Sequence, residues 1–218
     1  KREADDRPPP PAAPLESPLP AAPSDEPPEG VLRAYVWECD DGQTLRVRNL
    51  YRENAVSIDL HEGARKLPLV TSASGAKYAD ETVSFWSKGG TATFERKGHP
   101  AINCTEARAK SLLADAKLRG VAYRAQGNEP GWLVEVGPGS SLLYLANYGQ
   151  ERHEFDPVTT SDDGAGRLTF GGEHGGQPIE VTLVREPCAD DMSGAEFDHR
   201  AVVEFEGREL RGCGTAVR

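Results

Sequence analysis

The chain has 218 residues, with 25 Lys or Arg against 35 Asp or Glu and a formal net charge of −10. That length holds one large domain or two of about 100 residues each. The negative balance argues against nucleic acid and anionic membrane surfaces as partners, since both reward clustered Lys and Arg. No apolar run approaches the roughly 20 residues of a membrane-spanning helix.

The sequence opens on Lys1 without the basic and apolar regions of a signal peptide, and so reads as a processed product. Residues 8–28 carry ten prolines in 21 positions, with almost nothing apolar to bury. This composition predicts a disordered, semi-extended proline-rich tether over residues 1–30.

From Tyr35 the pattern becomes short alternating segments, AYVWEC, TLRVRNL and AVSIDL, separated by the turn signals DDGQ, YREN and HEGA. Period-two alternation of this length means half-buried strands. Further strands are expected at 77–79, 83–87, 91–96 and 101–104, giving a small antiparallel barrel or sandwich over 31–106. The segment TEARAKSLLADAKLRG predicts a helix with Ala107, Leu112, Leu113, Ala116 and Leu118 as its apolar positions and Gly120 to end it. Beyond it, residues 119–218 hold nine arginines and no lysine. That shift supports a boundary and a helical linker over 107–120. Residues 121–218 are again β in pattern, with eight or so strands. The fold class expected is all-β, two small antiparallel barrel-like domains joined by a short helix.

Four cysteines divide as Cys39 with Cys104 and Cys188 with Cys213, and none lies in a C-x-x-C that would suggest zinc or redox chemistry. Two disulfides formed in an oxidising compartment are the preferred reading, with four buried free thiols as the alternative. Closing loops of these lengths contributes roughly 3–4 kcal/mol each in the chain-entropy treatment.

Enzymatic signatures are missing: no G-x-S-x-G, H-E-x-x-H, P-loop or G-x-G-x-x-G precedes a helix. Histidines 61, 99, 153, 174 and 199 form no recognisable ligand set and are expected at the surface. The pairs Asp162–Asp163 and Asp190–Asp191 sit in turn-like contexts and are expected to be solvated. No catalytic residue, metal or cofactor is assigned.

Four segments in order carry a more specific signal: YVWECDDGQTLRVR, SASGAKY, FWSKGGTATFE and then Cys104. They resemble the MliC/PliC family of bacterial c-type lysozyme inhibitors over about residues 33–106. The match includes a Ser-Gly-x-x-Tyr segment, Ser74 to Tyr78, and a Ser-Lys-Gly segment, Ser87 to Gly89. The resemblance implies an eight-stranded antiparallel barrel that pushes a loop and a neighbouring strand into the lysozyme cleft. It implies lysozyme-binding roles for Ser74, Gly75, Tyr78, Ser87, Lys88 and Gly89, with Ser74 and Lys88 inserted. Tyr78 is read as packing the base of the loop and Trp86 as a core residue in preference to an interface anchor. A tyrosine carried by many members four residues before Ser87 is Val83 here.

The second half, with YRAQGNEPGWLVEV, a C-x-x-x-M-S-G run from Cys188 and a final GCG, resembles an uncharacterised family of bacterial envelope lipoprotein domains. Asn128, Glu129 and Trp132 either line a ligand pocket or, as preferred, stabilise a turn around a buried tryptophan. Taken together these readings predict an inhibitor in the periplasm or on the outer membrane of a Gram-negative bacterium. It would meet the membrane only through a lipid anchor preceding Lys1. The rival is an envelope binding or scaffolding lipoprotein whose acidic second domain takes a cationic peptide, metal or cell-wall fragment.

Overall fold

Alternation decides the first half of the molecule. A computed structural model describes residues 32–217; the expected tether over 1–30 lies outside the described residues. Eight strands follow one another: β1 (Ala34–Cys39), β2 (Thr44–Leu50), β3 (Ala55–Leu60), β4 (Gly63–Val70), β5 (Ala76–Ala79), β6 (Val83–Lys88), β7 (Thr91–Arg96) and β8 (Ile102–Glu106). Each pairs antiparallel with the next, and β8 returns to β1 to close a barrel. Inward positions such as Leu45, Val56, Ile58, Leu67, Phe85 and Phe94 are fully buried. Each such side chain contributes about 1.5–3 kcal/mol through removal of apolar surface from water. Trp37 packs edge-on against Phe85, with centroids 5.5 Å apart.

The closing seam is short. β8 pairs only with Trp37, Glu38 and Cys39 of β1. Cys39 and Cys104 face each other there and form a disulfide. The other end of β1 has no strand beyond it, and the helix α1 (Arg108–Leu118) covers that edge. Ser111 Oγ accepts from the Val36 N–H at 2.9 Å, and Asp115 Oδ1 accepts from the Arg33 N–H at 2.6 Å. An unpaired strand edge must be met by some polar group.

This corrects the expected helix face: α1 buries Ser111, Asp115 and Ala116, while Leu112 and Leu113 are only half-buried and Leu118 is 43% exposed.

After α1 come β9 (Tyr123–Asn128), β10 (Gly131–Val136), β11 (Leu142–Ala146), β12 (Glu151–Phe155), β13 (Thr159–Asp162), β14 (Arg167–His174) and β15 (Gln177–Val184). A two-stranded ribbon, β16 (Cys188–Ala189) with β17 (Glu196–Phe197), precedes β18 (His199–Phe205) and β19 (Arg208–Ala216). Nine of these make one antiparallel sheet in the order β12, β11, β10, β9, β19, β18, β15, β14, β13. The sheet curls until Phe155 and Val158 lie against Gly172, where an added Cβ would stand 2.9 and 2.8 Å from them. Its edges do not pair, so it is a barrel-like sheet with one open seam. The second disulfide, Cys188–Cys213, ties the ribbon to β19.

A buried ionic cluster joins α1 to this sheet. Arg119 bonds Asp115 at 2.8 Å and Glu135 of β10 at 2.5 and 2.8 Å, and Arg124 also bonds Glu135. Burial opposes the Glu135 charge, but the two guanidinium groups outweigh it and hold the carboxyl below the usual range.

Ser111→Ala leaves the Val36 N–H buried without its partner. The expected cost is about 1–3 kcal/mol of unfolding free energy, read from urea titration. A change near zero would mean that α1 does not serve this edge.

Candidate functional site

The two segments singled out from the sequence meet at the end of the β5–β6 hairpin. Its register is set at the opposite turn by Asp80, whose carboxylate accepts from the N–H groups of Thr82 and Val83 at 2.8 and 2.9 Å and from Arg65 at 2.6 Å. Burial pushes that carboxyl up, yet these bonds win and lower it to about 2. With the turn fixed, Tyr78 pairs with Phe85, Lys77 with Trp86 and Ala76 with Ser87. The preceding residue, Gly75, therefore arrives beside the Ser87–Lys88 peptide.

Only glycine fits there. Gly75 has φ +67°, and a Cβ would stand 2.2 Å from the Ser87 carbonyl oxygen and 3.1 Å from the Lys88 Cβ. Both the left-handed backbone and the close approach demand it. Ser72 Oγ donates to the Gly75 carbonyl at 3.1 Å, and Trp86 Nε1 donates to the Ser74 carbonyl at 2.7 Å. Trp86 is the residue whose role the sequence reading missed. It is 38% exposed on the outer face, where it clamps the Ser74 loop. The signal was present, because Val83 and Phe85 point inward and the next position in alternation must point out. Lys77 Nζ lies 5.5 Å from the Trp86 ring centroid, within cation–π range.

Ser74 and Lys88 are both exposed. Neither the Ser74 hydroxyl nor the Lys88 ammonium has a partner among the described residues. Lys88 is the last residue of β6, opposite Thr91, whose hydroxyl donates to the Lys88 carbonyl at 3.1 Å. Gly89, at φ +59°, turns the chain, and the Glu106 N–H bonds Gly90 O at 3.0 Å. The tip is thus anchored to β8 while its charged end is free.

Beneath it lies a cavity of about 300 Å³ at the barrel mouth, walled by Tyr35, Trp37, Tyr51, Tyr78 and Phe85 with Ser87 and Gly89 at the rim. Tyr78 is half-buried against the core. Burial raises its phenol pKa and that of Tyr51. Val83 is buried.

The second sheet holds the other motif residues apart from this tip. Trp132 is buried, with the Gly127 and Gly212 backbones against its indole. Asn128 Nδ2 donates to Asp190 Oδ2 at 2.8 Å. Tyr148 OH donates to Asn128 O at 3.0 Å. Glu129 is exposed. Asp190 corrects the expectation of a solvated carboxylate: it is buried and also accepts from the Ser193 hydroxyl at 2.7 Å and from the Ser193 and Met192 N–H groups. The Ser193 hydroxyl first, then its N–H, hold the Asp190 carboxyl down to about 2.

One histidine is also not at the surface: His199 is buried beside Asp198 at 2.9 Å, while His153 is half-buried against the Tyr144 and Phe205 rings. Among the described residues no cluster of His, Cys, Asp or Glu could hold a metal. No helix there is long and apolar enough to cross a membrane.

Two expectations follow. Gly75→Ala must push the loop off the Ser87–Lys88 edge, lowering the melting temperature and separating Ser74 from Lys88; thermal scans and amide shifts of Trp86 check it. Asp190, with a folded pKa below its ordinary value near 3.9, stabilises the protein above that value. Its contribution is lost as pH falls toward about 2. Asp190→Asn should lower stability at pH 7 and flatten its decline between these two values, measured by urea unfolding across pH.

Residues 37–102 match the family model described as membrane-bound lysozyme-inhibitor of c-type lysozyme. Over 67 residues the chain is 42% identical to a curated "Membrane-bound lysozyme inhibitor of C-type lysozyme" from Yersinia enterocolitica serotype O:8 / biotype 1B. That stretch covers 31% of this chain and 56% of the relative, so the chain spans a little over half the length of the curated protein it matches. No solved structure matches. The resemblance read from the four sequence segments is therefore borne out for the first barrel.

Proposed function

We propose that the first barrel inhibits c-type lysozyme by inserting Ser74 and Lys88 into its active-site cleft. The observation that carries this reading is an ammonium left unpaired at a rigid tip, welded through Gly75 to an equally unpaired serine hydroxyl. Surface lysines are commonly free. Here, however, a glycine contact, an indole hydrogen bond and a cross-strand turn all hold the backbone beneath the free groups.

A retaining glycosidase holds two carboxyl groups about 5–5.5 Å apart, one kept protonated by an apolar environment. An ammonium placed between them favours the ionised form of both and so removes the general acid. It also fills the position of the sugar. The Ser74 hydroxyl both donates and accepts, so it can bond a carboxylate and a backbone N–H at once. Gly75 and Gly89 are read as contact positions where the backbone itself approaches the target. Ser87 and Tyr78 are read as rim and base. The net charge of −10 attracts a cationic enzyme from a distance, raising the association rate more than the final affinity.

The name of the matched relative points to the cell envelope. We read residues 31–106 and 121–218 as separate domains. The periplasmic face of an outer membrane suits the two disulfides.

Lys88→Ala in the full chain should raise the inhibition constant against hen-type lysozyme by at least about 30-fold, the loss expected when one partner of a buried charge pair is removed. Ser74→Ala should raise it by about 2- to 12-fold, the worth of one neutral hydrogen bond. Both should leave the melting temperature unchanged. Turbidity clearing of peptidoglycan measures the first quantity. Unimpeded lysis at equimolar wild-type protein would instead favour a binding or scaffolding role in the envelope.

A further inference from the structure

The helix face displaced from the barrel leaves a second feature unaccounted for. Lys110, Leu113, Ala114, Lys117 and Leu118 recur at the spacing of one helical face, away from the Ser111–Asp115–Ala116 side that seals β1. Opposite them stands the outer wall of β2 and β3, with Arg46 and Arg48 projecting from alternate positions of β2. Between the two walls runs a groove of about 670 Å³. That volume falls within the roughly 300–1,000 Å³ of small-molecule sites. Its apolar lining comes from Ala34 and Val36 of β1, Leu113 and Leu118 of α1, and Val217 at the end of the last strand.

The rim charge is opposite in sign to the chain. Arg46, Arg48, Lys110 and Lys117 line the groove against one carboxylate, Asp59. Lys110 is engaged by Glu38 at 2.5 Å. Arg46, Arg48 and Lys117 have no partner among the described residues. In a molecule of net charge −10, a groove with three uncommitted cations and one acid is a local exception. The surplus is small, which suits one negative charge better than a multiply charged head or a bilayer surface. The volume and apolar floor suit one chain.

We propose that this groove binds a single-chain anionic lipid of the fatty-acid class, its carboxylate on Arg46 and Arg48 and its hydrocarbon along Leu113 and Leu118. An arginine fork matches a carboxylate in two hydrogen bonds. Burial of the exposed Leu118 supplies the apolar gain. The site shares no residue with the Ser74–Lys88 tip, so the inference is independent of lysozyme inhibition.

The probe is laurate below its micelle concentration, titrated into the full chain by calorimetry and by amide chemical shifts. Laurate is expected to bind at least tenfold more tightly than dodecyltrimethylammonium or acetate, with shifts centred on Leu113, Leu118, Arg46 and Arg48. Arg46→Ser combined with Arg48→Ser, both exposed and outside the core, should weaken it at least tenfold, as should Leu113→Asp. Lys88→Ala should leave it within twofold. Equal binding of the cationic detergent would overturn the proposal, as would an unaffected double arginine variant or shifts confined to Trp37 and Tyr78 in the barrel mouth. A failure of laurate accompanied by concentration-dependent shifts of Leu113 in the ligand-free chain would overturn it in favour of a second copy of the chain.

Discussion

The structure turns on a barrel whose last strand is too short for the one it must close against. β8 covers only the Trp37–Cys39 end of β1, and two different devices complete the closure. At the paired end a covalent bond joins Cys39 to Cys104. At the bare end a helix supplies a hydroxyl and a carboxylate to the exposed N–H groups. Polar groups that meet backbone donors must face the strand, so the helix turns Leu113 and Leu118 toward the groove. The face needed for hydrogen bonds and the face available for apolar contact are thus separated by the same constraint. The groove follows from it.

The Arg119–Asp115–Glu135 cluster extends this logic from the helix to the second sheet. Asp115 serves the Arg33 N–H and Arg119 together, and Arg119 reaches Glu135 in two bonds. A buried ion pair is weak evidence for stability, because desolvation offsets attraction. Its contribution is geometric: bidentate guanidinium–carboxylate contacts fix the direction in which the chain leaves the helix. Removing one member would leave an uncompensated charge, which is why such a cluster resists piecemeal change.

What the sequence made legible was whatever rests on local period. Leu45 and Val47, or Val56 and Ile58, announce inward faces because side chains alternate across a strand. Both cysteine pairs and the Ser74–Gly75 and Ser87–Lys88–Gly89 segments were also readable, the latter through resemblance. The features that escaped depend on tertiary partners. Nothing local in SLLADAKL says that Ser111 and Asp115 will be buried in preference to Leu113; that follows from the length of β8, far away in the fold. Asp190 and His199 look like surface polar residues until Asn128 and Tyr123 are brought to them across the sheet. Trp86 lay between these cases, since alternation placed it outside while size suggested the interior.

Rigidity beneath a free charge is the property that links fold to chemistry at the tip. A flexible lysine loses side-chain entropy when it is immobilised in a cleft, a cost of up to about 2 kcal/mol, and a mobile loop would add backbone entropy to that. The Gly75–Ser87 contact, the Trp86–Ser74 bond and the Gly90–Glu106 bond remove the backbone part before any partner arrives. What is left unordered is the Lys88 side chain alone. Glu95, one of the carboxylates nearest in sequence, accepts from the Ser84 hydroxyl at 2.9 Å, and the Lys88 ammonium has no partner among the described residues. Under the proposed insertion, its desolvation would be offset by an acid of the target cleft.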